Sequence, residues 1–304
     1  MKRLGVALAC ALLVGAGGAA QEQGCAVSGS LGVEFTFLPV PPATLEVDTA
    51  VTLALSFAGA EVVSRSELSA TGLEAQHLSF GVELDGVSLE TGMRFDPCFS
   101  LYRFQARGGC CPFDLGAIFL VENLAAACQT PDYTVGIVLD LGLVFDEGFF
   151  MRSITGFGVE ELYALVDDDP DTQLVAVPGW WFEEELMQLG FCTQCFRSQS
   201  IFLFDELGFS WARFEVAYLW PDPAIELGAG VWIDSSFAFA QADLTLGFTV
   251  DPIQLRSVTT FSFAGFLAQE IHVGVAFSGV RLYSETRFDF SGMLEEVVGF
   301  ELSF

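Results

Sequence analysis

Eight cysteines, two histidines and a run of acids are the side chains of this 304-residue chain best suited to chemistry. Cys192-x-x-Cys195, combined with Cys110 and Cys111, has the donor set of a thiolate metal site. The same dipeptide spacing also occurs in redox motifs, but those need a βαβ surround that the flanking sequence does not supply. His77 and His272 each fall inside an alternating apolar pattern, where a histidine is a wall or surface residue before it is a base. Asp167-Asp168-Asp169-Pro170-Asp171 offers oxygen ligands for calcium, yet Pro170 and the missing loop glycine depart from EF-hand spacing, so a solvated acidic loop is the simpler reading. No G-x-S-x-G, H-E-x-x-H or phosphate-binding loop occurs. The chain is therefore not expected to be an enzyme, and no cofactor is expected.

What remains are carboxylates at alternating positions, and these require strands to hold them. From Leu45 to Phe57 the odd positions are apolar except Thr49, while the even ones carry Glu46, Asp48, Ala50, Thr52, Ala54 and Ser56. Tyr133 to Phe145 repeats this thirteen-residue period of two, with Asp140 on the even side. Side chains alternate between the faces of a strand, so each segment has one greasy and one wet face. Leu78, Phe80, Val82 and Leu84 are even whereas Val87, Leu89, Met93 and Phe95 are odd. The parity switches at Asp85-Gly86, a preferred type I′ hairpin pair, and both strands keep their apolar residues on one sheet face. By parity Glu46, Asp48, Glu83, Asp85, Glu90 and Asp140 form a candidate acidic inner surface, and Arg94 is the one arginine placed among them.

Composition sets the environment. Lys2 and Arg3 precede an apolar run from Leu4 to Val14 and the small residues Gly18-Ala19-Ala20, the pattern of an export signal covering 1–20. After it, 40 acids face ten arginines and no lysine, a balance near −30 that excludes a nucleic-acid partner for want of a basic footprint. Mean hydropathy is nevertheless +0.50. No later apolar run is long enough for a spanning helix, so the apolar content is distributed through alternating segments.

The last eleven residues, LEEVVGFELSF, place Leu294, Val298, Phe300, Leu302 and Phe304 on one parity and Glu295, Glu301 and Ser303 on the other. This terminal strand, ending on phenylalanine, resembles the C-terminal insertion signal of bacterial outer-membrane β-barrel proteins, with Phe300, Leu302 and Phe304 as its apolar residues. The resemblance implies an all-β, closed antiparallel up-and-down transmembrane barrel in the bacterial outer membrane. Its partners would be outer-membrane lipid and the barrel assembly machinery, with small cations or other solutes passing through. The pattern gives 12 to 18 strands, with 14 or 16 expected because single-chain barrels use even numbers. Residues 21–304 read as one barrel domain, interrupted at about 160–197 by a long loop or inward-folded segment in which Glu183 to Gly190 reads as a short helix. A passive, cation-preferring porin-like channel or a structural membrane barrel follows. The alternative is a secreted or surface-attached all-β sandwich or solenoid that assembles or binds apolar ligands.

Seven cysteines follow the signal, and in an exported chain they favour disulfides over a metal. If Phe99 to Arg107 and Phe113 to Glu122 are neighbouring antiparallel strands, Cys98 and Cys128 lie at the same end, which makes them the expected pair.

Overall fold

The computed structural model describes residues 25–39, 43–57, 59–96, 98–110, 112–125, 129–145, 148–166, 173–221 and 224–304. The export signal and Asp167 to Asp171 thus lie outside the described residues.

Hairpin follows hairpin. The strands are β1 (Cys25–Leu38), β2 (Thr44–Phe57), β3 (Ala60–Ser69), β4 (Gly72–Leu84), β5 (Val87–Phe95), β6 (Phe99–Cys110), β7 (Phe113–Asn123), β8 (Tyr133–Val144) and β9 (Phe149–Phe157). A small two-stranded element follows, β10 (Val159–Glu160) with β11 (Val175–Ala176), and holds a 3-10 turn at Leu162–Leu165. The chain resumes with β12 (Phe182–Cys192), β13 (Phe196–Asp205), β14 (Gly208–Pro221), β15 (Ala224–Ile233), β16 (Phe239–Val250), β17 (Ile253–Ser262), β18 (Gly265–Phe277), β19 (Val280–Asp289) and β20 (Gly292–Ser303). Each strand pairs antiparallel with the next, β9 pairs with β12, and β20 pairs with β1 from Ser30↔Ser303 to Phe37↔Glu296. The result is a closed 18-stranded antiparallel barrel, four or two strands larger than the expected 14 or 16.

Closure removes every free edge, which a chain of alternating strands needs in lipid, where unpaired backbone groups are not solvated. A ten-residue strand rises roughly 33 Å and, tilted by about 40°, covers the ~25 Å apolar band of an outer membrane. The outward residues suit that band: Leu139, Leu141, Leu227, Leu244, Leu246 and Leu282 are all exposed although they sit mid-strand in a folded chain.

The start of β1 at Cys25 and the C-terminal Phe304 lie at one end of the barrel. There the turns are tight, as at Asp85-Gly86 and Ser278-Gly279, where all four residues take positive φ as a type I′ turn demands. At the opposite end four hairpins share one design, an apolar residue, Ser or Asp, two residues, Gly and another apolar residue. They are Leu68 to Leu73, Phe204 to Phe209, Phe261 to Phe266 and Phe288 to Met293. In each the Ser or Asp side chain accepts the N–H two residues on, as Asp205 does from Leu207 at 2.8 Å and Asp289 from Ser291 at 2.6 Å. The flanking apolar pair then meets across a bulge. This recurring turn is a sequence repeat that period-two counting does not reveal.

The segment from Glu183 to Gly190 is a correction. It is the middle of β12, paired on both sides from Glu184 to Phe191, and not a helix. The irregular insertion is correspondingly shorter than 160–197. It runs from 158 to 181, because 182–192 and 196–205 are barrel strands.

Candidate functional site

The described parts of the 158–181 segment, 158–166 and 173–181, fold into the barrel. They touch Arg94 on β5 at one extreme and Trp232 on β15 at the other, and only the concave side allows one short segment to reach both. Val159, Leu162, Leu174 and Ala176 are buried against Ile118, Leu120, Val138, Ile154, Leu186, Ile201 and Leu203 of the inner wall. Glycines make the approach. A Cβ on Gly136 would stand 2.1 Å from Val159 Cγ2, and one on Gly156 would stand 2.6 Å from the Val159 carbonyl, so neither strand tolerates a side chain there.

Polar ties complete the docking. Arg152 Nη1 donates to the Leu165 carbonyl at 3.1 Å, and the Arg213 guanidinium donates to the Tyr163 hydroxyl. Glu184 accepts the Leu162 N–H at 3.0 Å and Glu122 accepts the Ala176 N–H at 2.8 Å. Tyr163 also packs edge-on against Trp211 and Trp232, with ring centroids 5.2 and 5.5 Å away, while Arg213 lies 4.7 Å over the Trp232 ring. Backbone groups that would be orphaned inside a barrel thus find wall carboxylates and guanidinium groups.

The parity carrying these contacts is the lumenal one, and the strand registers extend it round the barrel. Glu46 and Asp48 of β2, Glu83 of β4, Glu90 of β5 and Asp140 of β8 all stand on it. Asp140 is buried and accepts two hydrogen bonds from Arg152, at 2.8 and 2.7 Å. Asp85 is placed differently: it forms the β4–β5 turn with φ 47° and lies at the barrel end, off the wall. A position counted in strand register cannot stay on the wall once it becomes the first corner of a two-residue turn.

Arginines were the larger omission. Arg65, Arg94, Arg103, Arg107, Arg152, Arg197, Arg213, Arg256, Arg281 and Arg287 all occupy inward positions, as do His77 and His272. The signal was available in Leu101-Tyr102-Arg103-Phe104-Gln105-Ala106-Arg107, where arginine and glutamine alternate with Tyr102, Phe104 and Ala106. Several are paired with carboxylates: Arg107 with Asp114, Arg152 with Asp140, Arg213 with Glu215, Arg94 with Asp96 and Arg65 with Glu67. Their distribution is uneven. Strands β20, β1 and β2 bring acids and no arginine to the lumen, namely Glu295, Glu301, Glu34, Glu46 and Asp48. The docked segment sits on the arginine-bearing side, so the acid wall faces the remaining lumen.

Phe300 and Leu302 face outward opposite Val33 and Leu31, and Phe304 exchanges two backbone hydrogen bonds with Gly29, each 3.0 Å. The Phe304 ring lies over Gly29, where a Cβ would be only 2.8 Å from the ring edge. Cys192 and Cys195 are free thiols at the terminus end. Cys98 is not a free thiol, and Cys128, its expected partner, lies outside the described residues, as does Cys111. Among the described residues no group of three or more His, Cys, Asp or Glu is placed to hold a metal.

The architecture is a closed, antiparallel up-and-down β-barrel of the kind found in porins. Two engineered variants of a porin from Rh. blastica share it, with TM-scores of 0.52 and 0.51, each at 9% identity and each covering 92% of this chain and 100% of the other. At that identity the likeness concerns the fold. No family model and no curated protein sequence matches the chain.

Proposed function

We propose that the protein is a porin-like, passive channel of the bacterial outer membrane, with a preference for cations. One observation carries the reading: a closed barrel of 18 strands has a greasy outer surface and a charged inner wall. Barrels of 16 to 18 strands are wide enough to leave an aqueous passage, and the inward segment narrows this one from a single side. Cavities of about 1060 and 390 Å³ lie along the inner wall, the smaller one against Tyr163, Leu165 and Val166 of the segment. A membrane outside explains the exposed leucines mid-strand, which a soluble protein would bury.

Cation preference follows from what the passage faces. Glu34, Glu46, Asp48, Glu61, Glu83 and Glu90 form no ion pair among the described residues, whereas half the arginines are neutralised by neighbouring carboxylates. A surplus of carboxylates in a confined lumen raises local cation concentration, and salt weakens the effect by shortening its reach. The 1–20 export signal and the terminal Phe300-Glu301-Leu302-Ser303-Phe304 strand support delivery by the assembly machinery, and a Cys98–Cys128 disulfide would brace the far rim. Purified protein in a planar bilayer under a potassium chloride gradient tests the proposal. Discrete conductance with a cation-selective reversal potential supports it; anion selectivity refutes the electrostatic argument; silence from inserted barrels refutes the channel.

A further inference from the structure

A recess in the lumen wall combines opposite unpaired charges with a floor of small residues. On β15, β16 and β17 the register runs Glu226↔Gly247↔Arg256, so an acid and a base stand two strands apart with only a glycine between them. One register step away, Ala217↔Gly228 continues the small-residue floor, and Arg197 closes its other flank on β13. Neighbouring strands are about 4.8 Å apart, so the Glu226 and Arg256 backbones are roughly 10 Å apart. Their heads do not close on each other: neither residue forms an ion pair or side-chain hydrogen bond among the described residues, and neither does Arg197. Elsewhere in this lumen arginines do find acids, as Arg152 finds Asp140 at 2.7 Å. The roof is Tyr163, Leu165 and Val166 of the docked segment.

We infer that this recess binds small zwitterions, with an α-amino acid as the fitting class: its carboxylate on Arg256 or Arg197, its ammonium on Glu226. Three features select a zwitterion over a simple ion. The free charges are of both signs, so an anion alone meets Glu226 and a cation alone meets two arginines. Gly247 has no side chain, so the Glu226 carboxylate leans over it, Oε2 3.4 Å from where a Cβ would stand, and still forms no ion pair with Arg256 among the described residues. The volume, about 390 Å³, falls within the usual range of about 300 to 1,000 Å³ for small-molecule sites. Glu226 and Arg256 also line the larger neighbouring cavity, so the pair stands where the two spaces meet, on the route a solute would take. The site deepens the channel reading and rests on it for that route.

The test is calorimetric titration of the folded, detergent-dispersed barrel with L-glutamine, acetate and ethylammonium in parallel, with folding verified by altered gel mobility before boiling. L-glutamine should bind more tightly than either single-charge probe. Arg256→Gln and Glu226→Gln should each weaken it about tenfold or more, the loss of one charge-assisted hydrogen bond. Equal binding of acetate and L-glutamine, no binding of L-glutamine, or undiminished binding by both folded variants overturns the site. Conductance in a bilayer without L-glutamine binding leaves the channel standing and removes only this inference. L-glutamine binding to a barrel that never conducts does the reverse.

Discussion

Leu162→Ala probes the inward segment at its most buried point. Leu162 is fully enclosed, and the side chains around it include Ile154, Val159 and Leu186, each also at 0% exposure. Truncation removes three carbons from a site whose walls are barrel strands, hydrogen-bonded on both sides and unable to collapse inward. Such substitutions cost about 2 to 5 kcal/mol, and a rigid surround favours the upper part of that range. Because the barrel is held by its own strand pairing, the cost falls on docking of the segment and not on the fold. It shifts the docked-to-released ratio by roughly 30- to 5,000-fold, at about 1.4 kcal/mol per decade. Limited proteolysis of the detergent-dispersed protein reads this directly, since cleavage within 158–181 follows the released population when opening and closing are fast. Cleavage should accelerate while heat-modifiable gel mobility persists, and bilayer conductance should become larger or noisier. An intact barrel cleaved at the wild-type rate would show that the apolar contact does not hold the segment, leaving its polar ties to do so.

Arg152→Met leaves the buried Asp140 only the more distant guanidinium of Arg107, at 4.0 Å. Removing one partner of a buried pair costs about 3 to 5 kcal/mol, so the folded gel form should be lost at a lower temperature than in wild type; an unchanged transition would show that Arg107 or water takes over the Asp140 carboxylate. Phe304→Asp should sharply reduce the membrane-inserted protein, by placing a carboxylate on the outer face and spoiling the terminal signal. Normal insertion would remove the resemblance as an argument. Gly29→Val should give a milder version of that defect, since its Cβ would meet the Phe304 ring at 2.8 Å and the Thr52 carbonyl at 2.7 Å, and equal assembly would mean that the ring simply moves aside. Glu46→Gln combined with Asp48→Asn should reduce cation selectivity in the bilayer without changing the strand number; a reversal potential identical to wild type would locate the selectivity elsewhere.

The same docking explains which strands could be read from sequence. On β2 and β16 the lumenal residues are polar or small, so the period of two is plain: Leu244, Leu246 and Phe248 face out while Asp243, Thr245 and Gly247 face in. On β7, β9, β12 and β13 the inner positions beneath the inward segment are Ile118, Leu120, Ile154, Leu186, Ile201 and Leu203, because that segment keeps them from water. Their strands carry apolar residues on both faces and lose the alternation. In β12 the loss is compounded, since Glu183-Glu184-Glu185 followed by Leu186-Met187-Gln188-Leu189 spaces acids and apolar residues as a helical first turn would. Strand pairing across β9 and β13 overrides that local preference, as tertiary context does for weak propensities.

The strand number and the site were obscured by one cause. A segment that folds into a barrel converts lumen wall into core, and the converted strands stop advertising themselves as wall. Strict alternation therefore reports where the lumen is wet, and its interruption reports where something lies against the wall. By that criterion β2 and β16, whose inner positions are polar or small throughout, border open lumen, and β16 carries Gly247 and Thr245 in the floor between Arg256 and Arg197. Replacing Val138 with Asp would extend the wet pattern of β8 along one more inward position and place a carboxylate beneath the docked segment, against Val159 and Leu162. The barrel should still form, because the substitution is lumenal, but the segment should dissociate and become open to protease. If Val138→Asp leaves the segment docked, the apolar patch is incidental, and the broken alternation of β7, β9, β12 and β13 needs another cause.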